Sequence, residues 1–255
     1  MTRQFSANLG FLWRELALPD AIRAAKASGF DAVECHWPYQ EPVSEVQLAL
    51  AETGLPILGL NTVRGDVAAG ENGLSALIGR ESEARAAIDQ AVSHGWALGA
   101  RHVHVMAGNA VGDGAHACFV ENLSYACTVA AKKGMRVVIE PLNAHDAPGY
   151  FLRTTVQAAN IIAEVGAGNL ALMFDCYHVA RSEGDVAGRL ETLIPIIGHI
   201  QFAGVPDRGP PLAGRLDYRQ VFNDISRFGY DGALGAEYRP TGGTEGSLGW
   251  MDVLR

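Results

Sequence analysis

Short apolar runs alternate along this chain with longer segments whose apolar positions fall three and four residues apart. The short runs read as strands and the longer segments as amphipathic helices. Residues 5–9 give the first strand. A helix opens at Pro19-Asp20, carries Ala21, Ile22 and Ala25 on one face, and stops at Gly29. Residues 31–35 and 56–60 predict the second and third strands, with a helix over 44–51 between them that closes at Gly54. A glycine-rich loop over 64–79 follows, long enough to suggest a functional lid. The longest helical pattern covers 80–98, and its Ala91, Val92 and Ala97 stripe reads as core. Residues 102–106 make the fourth strand, and a helix runs near 115–133. Further helices are expected near 155–165, 186–194 and 218–228, with the eighth helix short or missing.

The last four strands share a feature. Val137-Val138-Ile139-Glu140, Ala171-Leu172-Met173-Phe174-Asp175, Gly198-His199-Ile200-Gln201 and Ala233-Leu234-Gly235-Ala236-Glu237 each end on a side chain with an oxygen donor. Eight such βα units with near-continuously apolar strands imply a parallel sheet buried on both faces. The expected fold is α/β, a single (β/α)8 TIM barrel over residues 1–255, a common size for one. A doubly wound open sheet is the alternative. No G-x-G-x-x-G follows the first strand, which weakens its dinucleotide-binding form.

In a closed parallel barrel all strand C-termini meet at one rim, where such enzymes do their chemistry. One acid at a strand end is most often a salt-bridge or capping partner; four in succession point to one site. Three carboxylates and an amide oxygen form a hard ligand set suited to Mg²⁺, Mn²⁺ or Ca²⁺. Without a cation the carboxylates would repel and their pKa values would rise. Glu140 and Glu237, on the fifth and eighth strands, would sit on different sides of the mouth. Such a pair can take a proton from one carbon and return it to the next, the logic of an aldose–ketose isomerase.

Composition narrows the classes. A hydrophobic content of 48% is ample for one core, and the formal net charge of −8, with no basic run, argues against a nucleic-acid partner. No apolar stretch reaches the roughly 18 residues of a membrane span, and the first residues lack the build of a signal peptide. Cys35, Cys118, Cys127 and Cys176 form no C-x-x-C pair and read as reduced residues of a cytoplasmic protein. No interface is legible, so a homo-oligomer is left open.

The chain resembles the hydroxypyruvate isomerase family of the xylose isomerase-like TIM barrels over nearly its whole length. Blocks carrying the resemblance include Gly29-Phe30-Asp31-Ala32-Val33-Glu34, Val103-His104-Val105-Met106-Ala107-Gly108, Glu140-Pro141-Leu142-Asn143, Phe174-Asp175-Cys176-Tyr177-His178 and Glu237-Tyr238-Arg239-Pro240. The resemblance implies a divalent metal, Mg²⁺ or Mn²⁺, held by Glu140, Asp175, Gln201 and Glu237. It implies Glu140 and Glu237 as the acid/base pair, His178 on a substrate oxygen, and Arg208 on a substrate carboxylate or the enediolate. Asn8, Asn61, His104 and Asp146, each at or just past a strand end, are further candidates to line the mouth. Only one of His102 and His104 is expected to face it, and Trp13 and Trp37 are candidate walls.

The chain departs from the family at Ala180, where glutamine is frequent, and at Gly214-Arg215-Leu216, where Gly-Glu is usual. These bear on the substrate, not on the reaction type. The expected substrate is a small 2-keto-3-hydroxy acid: hydroxypyruvate first, 2-oxo-tetronate next. Ketose 3-epimerisation, dehydration of an inosose, a repair nuclease and a non-catalytic barrel are the rivals.

Overall fold

Eight parallel strands ring a common axis in a computed structural model that describes residues 3–255. Met1 and Thr2, part of the reading of the first residues as no signal peptide, lie outside the described residues. The strands are β1 (Phe5–Asn8), β2 (Ala32–Glu34), β3 (Gly59–Asn61), β4 (His102–His104), β5 (Arg136–Ile139), β6 (Leu170–Asp175), β7 (Ile197–Phe202) and β8 (Leu234–Ala236). Parallel pairing runs β2-β1-β8-β7-β6-β5-β4-β3. The seam between β2 and β3 closes through the Val33–Ile57 bridge. Across it Leu58 N donates to Val33 O at 2.7 Å and Asn61 N to His36 O at 2.8 Å. The barrel expectation therefore holds, with β3 and β4 shorter than the apolar runs suggested.

The helices are α1 (Leu18–Ala27), α2 (Val43–Thr53), α3 (Glu81–Leu98), α4 (Asp113–Ala131), α5 (Thr155–Val165), α6 (Cys176–Ser182), α7 (Val186–Leu193), α8 (Tyr218–Arg227) and α9 (Met251–Leu254). Their ends follow local chemistry. Pro19 sits in the first turn of α1, where its missing N–H is no loss. Thr154 caps α5 by accepting from Gln157 N, and Asp217 caps α8 through Arg219 N. The eighth helix is short: a 3-10 turn, Glu245–Trp250, leads into α9. The loop over 64–79 packs down, with Ala76 N donating to Ala107 O at 2.7 Å and Leu74 and Ala76 buried. Among the described residues no helix is long and apolar enough to cross a membrane.

Strand alternation sorts the side chains. The outward set packs against the helices in one large core. At its centre Phe202 meets Phe5, Phe222 and Trp250 at ring separations of 6.0, 5.0 and 5.2 Å. The inward set is only partly apolar. Val138, Ala171 and Met173 form one cluster, and Ala32, Leu58 and Ala233 another. Between them lie Ser6, Glu34, His199 and Gln201, all buried. A cavity of about 760 Å³ opens at the strand N-termini and is lined by Arg101, His102, Arg136 and His199. It holds none of the rim carboxylates and lies at the end opposite the candidate chemistry.

Replacing Phe202 by Ala removes a fully buried ring from the centre of the outer core. Unfolding free energy in urea, followed by circular dichroism, should fall by about 3–5 kcal/mol.

Candidate active site

The rim collects Glu140, Asp175, Gln201 and Glu237, all at least nine-tenths buried. Local structure aims each one. Asp175 ends β6 and starts α6: its Oδ1 accepts from Tyr177 N at 2.8 Å, which leaves Oδ2 for the mouth. Asp175 and Gln201 are register partners on adjacent strands, so both side chains face the same way. Glu237 follows β8, and its Oε1 accepts from Asn8 Nδ2 and His36 Nε2, both at 3.0 Å.

Arg208 supplies the cation. Its Nη2 donates to Glu237 Oε2 at 2.5 Å and reaches Asp175 Oδ2 at 3.4 Å. The guanidinium is buried and stacks on Phe11 and Tyr177, at 4.5 and 5.2 Å from their ring centres. The sequence suggested a loop arginine awaiting a substrate carboxylate; here it pairs the protein's own. The charges set the titration behaviour. Burial pushes Glu237 up, but Arg208 and His36 outweigh it and hold the group at about 2. Asp175, less well paired, is raised by burial to about 7. Glu140 has no such partner, and burial together with Glu237 and Asp175 drives it well above the carboxylate range.

Four buried atoms here lack a hydrogen-bond partner: Glu140 Oε1, Gln201 Oε1, His104 Nε2 and His178 Nε2. Such orphans are costly unless something else satisfies them. Glu140, Asp175 and His178 present atoms within 4.8 Å of one another, a cluster that could hold a metal ion. The tautomer of His178 is fixed by its neighbours. Its Nδ1 accepts from Asn143 N at 2.9 Å, so in the neutral ring the proton sits on Nε2. That N–H points toward Glu140 Oε1 and Asp175 Oδ2, at 3.8 and 3.7 Å. Burial keeps His178 well below the usual imidazole range, so it stays neutral. Glu140 Oε1 and Gln201 Oε1 remain open oxygen acceptors, a donor type that suits a hard cation.

The remaining candidates divide. Asn8 binds Glu237, and His104 Nδ1 lies 3.7 Å from Glu140 Oε2, so both stand in the mouth. His102 is buried two residues lower and lines the cavity at the opposite end, so only His104 faces the site. Asn61 ends β3 half-buried, and its carbonyl accepts from Tyr39 Oη. Asp146 lies on an exposed loop, tied to Tyr177 Oη at 2.7 Å and Asn143 Nδ2 at 3.1 Å. Trp13 is core and not a wall, its indole N–H donating to Glu245 at 2.6 Å. Trp37 lies partly exposed against His36. Two residues at the site went unread in the sequence, Glu34 and His36. The same signal marks the first: Glu34 is the last residue of β2, an apolar run ending on an acid. His36, two residues on, faces the same way.

The chain is similar to known proteins over nearly its full length. The family model described as xylose isomerase-like TIM barrel matches residues 22–254. A 2-oxo-tetronate isomerase of Cupriavidus necator is 44% identical over 97% of each chain. A hydroxypyruvate isomerase of Escherichia coli K12 is 36% identical over 99% of each. A solved structure named AP endonuclease, family 2, from Brucella melitensis superposes with a TM-score of 0.95 at 35% identity over 99% of each chain.

Arg208→Met would leave the carboxylates buried without their cation. In metal-free protein at neutral pH we expect a loss of about 3–5 kcal/mol in urea unfolding. Arg208 depresses Glu237, so its stabilising share is present above the unfolded carboxylate pKa and fades as pH falls toward about 2. The gap between wild type and variant should therefore narrow on acidification below about pH 4.3.

Proposed function

Since the chain belongs to the xylose isomerase-like TIM barrel family, we propose that it is a metal-dependent isomerase of a small 2-keto-3-hydroxy acid. That it is an isomerase of keto acids follows from its relatives' names. The finer reading, hydroxypyruvate to tartronate semialdehyde through an enediolate, rests on one observation above all. Two buried glutamates, Glu140 and Glu237, share a dry mouth with orphaned oxygen acceptors and a guanidinium.

The residues then have separable tasks. One glutamate takes the C3 proton as a general base, and the other delivers a proton to C2. The C–H electron pair becomes the enediolate double bond; the C2 carbonyl oxygen becomes the new hydroxyl by taking the proton that the C3 hydroxyl gives up, and C3 becomes the aldehyde carbon. His178 Nε2–H donates to a substrate oxygen. Arg208, released from the carboxylates, has the fork geometry for the substrate carboxylate. A hard divalent ion held by Glu140, Asp175, Gln201 and Glu237, Mg²⁺ or Mn²⁺ by donor type, would supply positive charge for the two substrate oxygens. Burial excludes water from this exchange, which preserves the enediolate and strengthens every charge interaction around it.

The relative named for 2-oxo-tetronate makes that longer acid the second substrate to test. A nuclease would need a surface that neutralises phosphates, and a net charge of −8 supports a small substrate instead.

Protein stripped with chelator should not isomerise hydroxypyruvate or 2-oxo-tetronate, and Mg²⁺ or Mn²⁺ should restore turnover of at least one. Turnover of free ketoses alone would overturn the keto-acid reading. Glu140→Gln and Glu237→Gln should each cut kcat by 10²–10⁴-fold with the fold intact by circular dichroism. Retained activity in either would sink the acid/base pair.

A further inference from the structure

The side-chain amide of Gln201 has two ends of nearly equal shape and opposite polarity. Only the oxygen can face a cation; the NH₂ end would repel it. The packed volume does not choose between the two orientations, so a hydrogen-bond partner must. In the structure that partner is Glu34. Gln201 Nε2 donates to Glu34 Oε2 at 2.7 Å, and Gln201 Oε1 is left buried and unpartnered on the other side.

We propose that Glu34 is a positioning residue whose acceptor-only carboxylate fixes the Gln201 amide, turning its oxygen toward the metal site. The inference rests on the metal-dependent reading above.

The contact is long-range and built. Glu34 lies on β2 and Gln201 on β7, with β1 and β8 between them in the ring, so the pair meets across the barrel interior. Both intervening strands make room or help. On β8 the register partner of Gln201 is Gly235. A Cβ there would fall 2.4 Å from Glu34 Oε1 and 2.8 Å from Gln201 Cγ, so a side chain larger than hydrogen would break the pair. On β1 Ser6 Oγ donates to Glu34 Oε1 at 2.6 Å. His199 Nε2 completes the set, 3.1 Å from each carboxylate oxygen. Every neighbour is a donor toward Glu34, so the carboxylate stays an acceptor and Gln201 has only its NH₂ to offer. An amide at position 34 could accept or donate, and the orientation of Gln201 would become degenerate.

Such outer contacts typically change metal affinity 10- to 100-fold. The test is a double-mutant cycle read by Mn²⁺ titration calorimetry on wild type, Glu34→Gln, Gln201→Leu and the double variant, with melting of the metal-free proteins as a fold control. Glu34→Gln should weaken Mn²⁺ binding at least tenfold in wild type and less than twofold in the Gln201→Leu background. Equal losses in both backgrounds would make Glu34 a remote charge and overturn the inference; so would no loss at all. If Glu34→Gln fails to fold, Glu34→Asp keeps the charge and withdraws the acceptor, and full wild-type affinity in that variant is equally fatal. No Mn²⁺ binding by wild type would instead overturn the metal reading on which this one stands.

Discussion

Like charges cannot share a dry space without a counter-ion, and the mouth of this barrel is organised by that constraint. Glu140, Asp175 and Glu237 are buried together, and Arg208 is the guanidinium that makes two of them tolerable. Much of the surrounding loop serves to keep it there. Arg208 adopts a left-handed backbone (φ 56°), a conformation that side chains other than glycine seldom take. Its carbonyl accepts from Arg239 N at 2.7 Å, and its ring partner Tyr177 is held by Asp146 and the Pro206 carbonyl. Glu140 makes no hydrogen bond to Arg208, and burial, with Glu237 and Asp175 nearby, drives its carboxyl well above the carboxylate range.

The interior below repeats the same physics with a different answer. TIM barrels are commonly filled by layers of branched apolar side chains. Here Glu34, His199, Ser6 and Gln201 occupy the middle, tied together through the Glu34 carboxylate, with the Gln201 amide oxygen left unpartnered. A buried polar network of this kind does more to fix geometry than to add stability when its members are partnered. The aromatic core outside the strands, centred on Phe202, is built without these residues.

Most of the fold was legible because strand and helix periods differ and because the strands, short as they are, end on recognisable side chains. The carboxylate-bearing strand ends were legible for that reason. What escaped was relational. Glu34 carried the same mark as Glu140 but lay in the half of the chain where no series of acids drew notice. Arg208 was visible as a residue, yet its partners are 29 and 33 positions away and only closure of the barrel brings them to it. Strand alternation predicted that His102 and His104 share a side. It could not say that one stands at the mouth and the other opens onto the far end, because that depends on the strand's height in the barrel. The short helix α6, directly after Asp175, is invisible to periodicity at seven residues.

Two cysteines adjoin rim residues: Cys35 follows Glu34 and Cys176 follows Asp175. Both are buried in the outer core, and burial pushes Cys35 up to about 12 and Cys176 well above the ordinary thiol range. Past Glu34 the chain turns Cys35 to the opposite side, and past Asp175 it turns into α6 with Cys176 in the outer core, so each sulfur lies away from its acid and stays protonated. A thiophilic ion arriving at the rim thus meets oxygen and imidazole but no thiolate, although sulfur lies one residue distant in sequence. Selectivity of that kind needs no filter. It is discrimination by concealment, written into the way each strand ends.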